Sequence, residues 1–263
     1  MVCTLIIKHS TLNYIIKAGF LFILIILVIS CSRTKKDTSF FEPAAMLKQA
    51  DLLISNKKYE EARDILEDIR VKDASQKYAT IARLRIADTF FEDKSYEEAA
   101  VEYGSFLNLH NRHRYASYAQ FKLAMCYFKR IKSVDVSYSW AKQALDEFEK
   151  LQQNYPRNPY LDTVDERIKV CKRILAEFEL YVGSFYFKKG SFNAAVQRLN
   201  NILKTYPDSD KEPDALYYIG VSYKNLGQQD EAVAALNSLI EKYPAMKISG
   251  KAKEVLASIL ENK

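Results

Sequence analysis

Few residues in this sequence have the type and spacing needed for catalysis or metal binding. His110 and His113 could share a metal ion across one helical turn, but no Cys, Asp or Glu stands beside them in the segment HNRHR. A glycine-rich phosphate loop, a nucleophile motif and a paired-cysteine metal signature are also missing from the sequence. We therefore expect no enzyme, no metal and no cofactor, and we interpret the two histidines as part of a solvated basic linker.

Two cysteines, Cys126 and Cys171, could form a disulfide bond if the chain lies in an oxidising compartment. Both fall within predicted helices, and Cys171 lies on an apolar stripe. Buried free thiols behave as small hydrophobic side chains, and we favour that interpretation over a disulfide bond.

Cys31 stands in a different context, at the end of a segment that resembles a secretory signal. Residues 1–30 contain two lysines, no Asp or Glu, and an apolar run over 18–29 that is short for a membrane span. The sequence Val28-Ile29-Ser30-Cys31 resembles the lipobox of bacterial lipoproteins. This resemblance implies a signal peptide over 1–30, acylation of Cys31 and a lipidated tether over 31–42. The alternative is an uncleaved amino-terminal anchor with an incidental cysteine.

The composition indicates a helical protein with a mixed, solvated surface. Its 39 basic and 33 acidic residues are interspersed, which argues against a nucleic-acid-binding face despite the formal charge of +6. Only seven glycines and six prolines occur, and no alternating runs typical of β-strands stand out. We expect an all-α fold.

Internal repeats indicate how the helices are arranged. The alanine of a Tyr/Phe-x-x-Ala or similar helix start recurs after 37 residues, from Ala62 to Ala99 and again from Ala195 to Ala232. Ala144, twelve residues before Pro156, supplies a middle repeat, and Ala124 and Tyr127 fit its first helix if residues 131–138 are an insertion. Small residues precede these alanines, and Tyr-Pro follows three of them; the pattern resembles the tetratricopeptide (TPR) repeat. It predicts a superhelix of five TPR-like helical hairpins, with a C-terminal capping helix over 247–261.

One predicted helix, at about 160–188, is too long for its own hairpin. Its apolar residues alternate steps of three and four: Leu161, Val164, Ile168, Cys171, Leu175, Phe178, Val182 and Phe185. Lys188-Lys189-Gly190 ends it with basic side chains and a glycine. We expect this helix to join an N-terminal group of three repeats over 43–156 to a C-terminal group of two repeats and the cap over 157–263.

Around this long helix the sequence resembles a specific family, the outer-membrane assembly lipoproteins called BamD or YfiO. The residues that carry the resemblance are Tyr155-Pro156, Arg167, Leu175-Ala176, Glu179, Phe185-Tyr186, Lys189-Gly190, Phe192, Ala194-Ala195, Arg198 and Tyr206-Pro207-Asp208. Two departures are Lys189, where arginine is common in the family, and Arg173, which stands one residue early. Lysine cannot reproduce the bidentate fork of a guanidinium.

The resemblance implies a scaffold, not an enzyme, that helps to insert β-barrel proteins into the bacterial outer membrane. Such a scaffold would be lipid-anchored at the outer membrane and face the periplasm. It would bind the periplasmic domains of the central barrel assembly protein and unfolded outer-membrane protein clients, with accessory lipoproteins as further partners. The alternatives are another periplasmic TPR adaptor, or a substrate-capture lipoprotein on the cell surface.

Two sets of residues are candidates for these contacts. The first, proposed to bind the central barrel protein, comprises Arg167, Glu179, Lys189 and Arg198, since repeat packing requires no charge at these sites. The second, proposed to line a peptide groove on the concave face, comprises Leu84, Phe91, Tyr118, Phe121 and Phe128. The alternative is that the charges are merely solvated and the aromatic side chains belong to the core between repeats.

Overall fold

The computed structural model describes residues 41–207 and 209–261, so the predicted signal peptide, Cys31 and nearly all of the tether lie outside the described residues. Within the described ranges every regular element is an α-helix, which confirms the all-α fold. The helices are α1 (Pro43–Ser55), α2 (Tyr59–Lys72), α3 (Lys77–Glu92), α4 (Tyr96–His110), α5 (Ala116–Lys129), α6 (Val134–Asn154), α7 (Leu161–Lys188), α8 (Phe192–Thr205), α9 (Glu212–Asn225), α10 (Gln229–Lys242) and α11 (Lys247–Leu260).

Each helix packs against the next, giving five hairpins (α1–α2 to α9–α10) and the capping helix α11. The turns within four hairpins repeat the same backbone geometry. Lys57, Lys94, Gly190 and Gly227 all have positive φ, and each stands five residues before the packing alanine of its repeat. This left-handed residue reverses the chain after the first helix. The predicted superhelix of five TPR-like hairpins and a cap is thereby confirmed.

The third hairpin differs because of the predicted insertion at 131–138. Residues 131–133 lengthen the turn, and the rest of the insertion extends α6, which has 21 residues where most of the other second helices have 14. The hydroxyl of Ser137, which is fully buried, accepts hydrogen bonds from the amides of Lys132 (2.8 Å) and Ser133 (3.1 Å). The insertion is therefore a fixed part of the hairpin.

The long helix α7 has 28 residues, in agreement with the predicted range. Its stripe is buried from Val164 to Leu175, but the prediction is wrong at the two ends. Leu161, the first residue of α7, is 40% exposed. Phe185 is 51% exposed because it stands two residues after Gly183, which meets α8, and so lies on the opposite side of the helix.

Small residues set the closeness of the helices. Ala50, Ala87 and Ala124 are fully buried at the predicted positions. At Gly183 in α7, an added Cβ would lie 2.6 Å from two side-chain carbons of Leu199 in α8, and Gly220 stands in the same relation to Leu236. The helices of the last two full hairpins thus meet at a distance that only glycine permits.

Residues from Pro43 onward form one compact unit, and the division into two repeat groups at residue 156 stays a prediction. Among the described residues, no helix has the combination of length and apolar composition needed to span a bilayer.

We predict that Gly183→Ala lowers the free energy of unfolding by about 1–3 kcal/mol, since its methyl group would displace Leu199. Gly104→Ala is the matched control, because Gly104 also lies within a helix but has no neighbouring atom within 4 Å of the added Cβ. That control should raise stability by about 0.5–1 kcal/mol. Urea unfolding measures both variants, and equal effects of the two changes would contradict the packing argument.

Candidate functional site

Two of the predicted partner-binding residues bind each other. Glu179 on α7 is only 4% exposed, and its carboxylate accepts hydrogen bonds from Arg198 Nη1 of α8 at 3.3 and 3.4 Å. Asn201 Nδ2 donates to the same carboxylate at 3.4 Å. The Arg198 side chain remains 44% exposed. Glu179 therefore cannot reach a partner directly, but it holds Arg198 at the surface.

Arg167 lies elsewhere. Its guanidinium stands 5.0 Å from the ring centre of Phe128, a predicted groove residue, and its buried Nε has no hydrogen-bond partner within the described part of the chain. The 22 residues between Arg167 and Lys189 correspond to roughly 33 Å along a helix. These two residues therefore belong to different parts of the surface.

Lys189 caps the carboxyl end of α7 and is exposed, with no carboxylate partner among the described residues. Its Nζ lies 5.8 Å from the ring centre of Phe185. Tyr181, one helical turn before Phe185, is 58% exposed. We call Tyr181, Phe185 and Lys189 the α7-end surface. The sequence analysis predicted Lys189 as a binding residue but neither aromatic residue. It assigned Phe185 to the buried apolar stripe and gave Tyr181, which lies outside that stripe, no role.

The predicted groove residues divide between a cleft and its surroundings. Leu84 and Tyr118 line a cleft of about 320 Å³ between α3, α5 and the start of α7, together with Arg85, Asp88 and Tyr160. Leu84 is only 6% exposed, so it contributes to the core as well as to the cleft wall.

The other three groove residues are half-buried and do not line this cleft. Phe121 stacks on Tyr160 with ring centres 4.3 Å apart. Phe91 lies 3.8 Å from Lys122 Nζ, and Phe128 packs against the buried Phe148.

The cleft contains a buried acid that the sequence analysis missed. Asp88 Oδ1 accepts hydrogen bonds from the hydroxyls of Tyr103 (2.6 Å) and Tyr118 (2.7 Å), while Arg85 Nη1 lies 3.4 Å from Oδ2. Burial raises the pKa of Asp88, and the two tyrosine hydrogen bonds oppose this shift. An acid between the apolar pairs Ile86-Ala87 and Phe90-Phe91 was the available signal.

The two cysteines are buried in the core, and the two histidines pack against an aromatic ring. Cys126 and Cys171 are free and buried, and burial raises the pKa of each thiol to about 12. The rings of His110 and His113 both pack on Phe106, so these residues are less solvated than the sequence analysis expected. No group of three or more potential metal ligands occurs in the described part of the chain.

Comparison with known proteins identifies the family of this chain. A family model described as outer membrane lipoprotein, YfiO, matches residues 41–235. The chain belongs to the YfiO family of outer membrane lipoproteins. Membership associates it with the outer membrane and agrees with the resemblance seen around α7.

Relatives within this group match over part of their length. An outer membrane protein assembly factor BamD from Vibrio cholerae is 38% identical over 69 residues, which cover 26% of this chain and 29% of the relative. A protein of the same name from Caulobacter vibrioides is 29% identical over 94 residues, covering 36% and 31%. The matched region thus spans about a third of each relative.

Among solved structures, the TPR2AB-domain:pHSP90 complex of yeast Sti1 is similar to this chain. The alignment covers 83% of this chain and 87% of the Sti1 chain, with 16% sequence identity and a TM-score of 0.43.

We predict that the stability difference between the wild type and Asp88→Asn depends on pH. The pKa of Asp88 is higher in the folded state than in the unfolded state, where it is about 3.8. The protonated carboxyl group therefore stabilises the fold, and this contribution is fully present below the unfolded pKa. This contribution is lost as pH rises through the folded pKa. Asparagine keeps an oxygen for both tyrosines and does not ionise, so the wild type should lose stability relative to Asp88→Asn from pH 4 upward.

Urea unfolding of both proteins at several pH values measures this difference. A wild type that gains stability relative to Asp88→Asn as pH rises would contradict the pKa direction.

Proposed function

We propose that this protein is a non-enzymatic, lipid-anchored TPR scaffold in the assembly and insertion of β-barrel proteins into the outer membrane. It binds the periplasmic domains of the central barrel assembly protein and unfolded client segments. Family membership and the names of the BamD relatives support this role. The docking part of the proposal rests on the α7-end surface. There two exposed aromatic side chains stand beside Lys189, which forms no ion pair with the described residues.

The α7-end surface has the composition of a binding hot spot. Aromatic residues bury large areas on association, and a cation at their edge adds charge selectivity. Arg198 of α8, held by Glu179, is a further exposed cation that lies outside the surface defined by Tyr181, Phe185 and Lys189. We assign Lys189 and Arg198 to contact with carboxylates of the barrel protein, and Glu179 to positioning Arg198.

Arg167 is a weaker candidate for this interface. Its guanidinium lies over Phe128, on the groove side of α7. It fits the client-binding part of the proposal better than the docking part.

We predict that Lys189→Glu reduces co-purification of the central barrel protein by about 100-fold, because like charges at an interface cost several kcal/mol. Helical circular dichroism should stay unchanged, since Lys189 is exposed, and a glutamate at the carboxyl end of α7 should lower the stability by only about 0.3–1 kcal/mol. Lys253→Glu on α11 is the matched control, an exposed lysine outside this surface. Undiminished co-purification with Lys189→Glu would rule out this surface as the interface.

Charge reversal at Arg198 is a poor probe of docking. A glutamate at this position would stand beside the buried Glu179, and two carboxylates in contact would destabilise the α7–α8 hairpin. The paired change Tyr181→Ala with Phe185→Ala tests the apolar part of the surface instead.

The cleft between α3 and α5 supports the client-binding part of the proposal. It lies beside half-buried aromatic side chains, the type that anchors an extended peptide. Arg85 and Lys122 add positive charge at its edge, and each is already paired with an acid of the same chain.

We predict that Phe91→Ala weakens binding of a client carboxy-terminal peptide by about 1–2 kcal/mol. It should destabilise the fold less than Phe106→Ala, because Phe106 is fully buried and its truncation should cost about 3–5 kcal/mol. Fluorescence anisotropy of a labelled peptide and urea unfolding give the two quantities. A folded Phe91→Ala variant with unchanged peptide affinity would place Phe91 in the core alone.

Cys31 is proposed as the site of the lipid anchor, on the basis of its lipobox-like context. Two or three acyl chains hold a protein on a membrane far more firmly than one. Cys31→Ala should therefore abolish metabolic labelling with palmitate and release the protein from the membrane fraction. Labelling that persists in this variant would refute the assignment.

A further inference from the structure

A second cleft, of about 590 Å³, lies between the turns of the second and third hairpins. Lys94 approaches it from the α3–α4 turn, and Lys129, Arg130 and Lys132 approach it from the α5–α6 turn. Trp140 of α6 forms part of its wall. We call it the Trp140 cleft. Its two lining carboxylates, Glu97 and Glu98, leave an excess of positive charge.

The insertion in the third repeat builds one side of this cleft. The longer turn carries Lys132, and the buried hydroxyl of Ser137 fixes it by accepting the amides of Lys132 and Ser133. Repeat packing does not require an insertion here, since the other turns close without one. The insertion that distinguishes this hairpin therefore contributes one of the four basic residues of the cleft, Lys132, and also Trp140's neighbour Ser137.

Arg130 and Trp140 form an ordered pair within the cleft. The guanidinium carbon of Arg130 lies 3.6 Å from the centre of the indole ring, and its Nη2 donates to Glu97 at 3.0 Å. Glu97 is thus occupied by Arg130. Lys94, Lys129 and Lys132 are exposed and have no carboxylate partner in the part of the chain that the structure describes.

We propose that the Trp140 cleft binds the phosphate group of an anionic phospholipid headgroup. Lysine and arginine are the usual ligands of phosphate, and the Arg130 guanidinium, held by Trp140, has five N–H donors, of which one is given to Glu97. Tryptophan beside basic residues is typical of the interface between a bilayer and water. Family membership associates this chain with the outer membrane, so a bilayer surface is within reach. This inference does not depend on the proposed role in barrel assembly.

Trp140 is the only tryptophan of the sequence, so its fluorescence reports on this cleft directly. The full-length protein is reconstituted into vesicles of phosphatidylcholine, or of equal parts phosphatidylcholine and phosphatidylglycerol. Phosphatidylcholine brominated on its acyl chains serves as the quencher in both. Phosphatidylglycerol should shift the Trp140 emission to shorter wavelength and increase its quenching, and added salt should reverse both effects.

Lys129→Gln with Lys132→Gln should remove the response to phosphatidylglycerol, since two lysines near an anionic surface contribute roughly 30-fold in affinity. The matched control is Lys251→Gln with Lys253→Gln on α11, which removes the same charge outside the cleft and should retain the response. Quenching that is equal in both vesicles, or unchanged by the cleft substitutions, would overturn the proposal.

Two soluble ligands distinguish other sources of negative charge. Inorganic phosphate and polyglutamate are titrated separately against the protein in detergent. A change in Trp140 emission with either ligand, without a response to phosphatidylglycerol in vesicles, would also overturn the lipid assignment. It would identify instead a small-anion site or an acidic-peptide site.

Discussion

The close approach of paired helices at small residues is the constraint on which this structure depends. Where Gly183 faces Leu199, the side chain of one helix occupies the space that a Cβ of the other would need. Leu199 is fully buried by this contact, as is Leu236 opposite Gly220. Each closely packed hairpin can then pack on the next one. Contacts within hairpins and between neighbouring hairpins stabilise a superhelix that has no central core.

This constraint explains why the repeats could be recognised in the sequence. Small residues, large neighbours and left-handed turn positions recur at fixed intervals because each hairpin solves the same packing problem. The bounds of α7 followed from an uninterrupted stripe, and Val164, Ile168 and Leu175 are buried as expected. The spacing of apolar residues predicts a helix and its buried side well where that spacing continues without interruption along the helix.

The sequence analysis was wrong where a residue's surroundings come from a distant part of the chain. Glu179 was expected at a surface but is buried, since Arg198 and Asn201 of the next helix satisfy its carboxylate. Phe185 was expected in the core but is exposed, since α8 packs on the side of α7 that contains Gly183 and Phe185 lies on the other side. Asp88 was overlooked because its partner Tyr118 lies 30 residues away. Periodicity contains no information about such contacts.

The Glu179–Arg198 pair joins the fold to the proposed docking surface. A buried carboxylate is costly unless a cation stays beside it, so Glu179 keeps the Arg198 guanidinium in one place. An interface that uses Arg198 then spends little conformational entropy to order that side chain. Lys189, in contrast, is exposed and pairs with no carboxylate in the described ranges 41–207 and 209–261, so its charge is available to a partner. The two cations therefore differ in kind: substitution of Arg198 disturbs the hairpin and the surface together, whereas substitution of Lys189 isolates the surface.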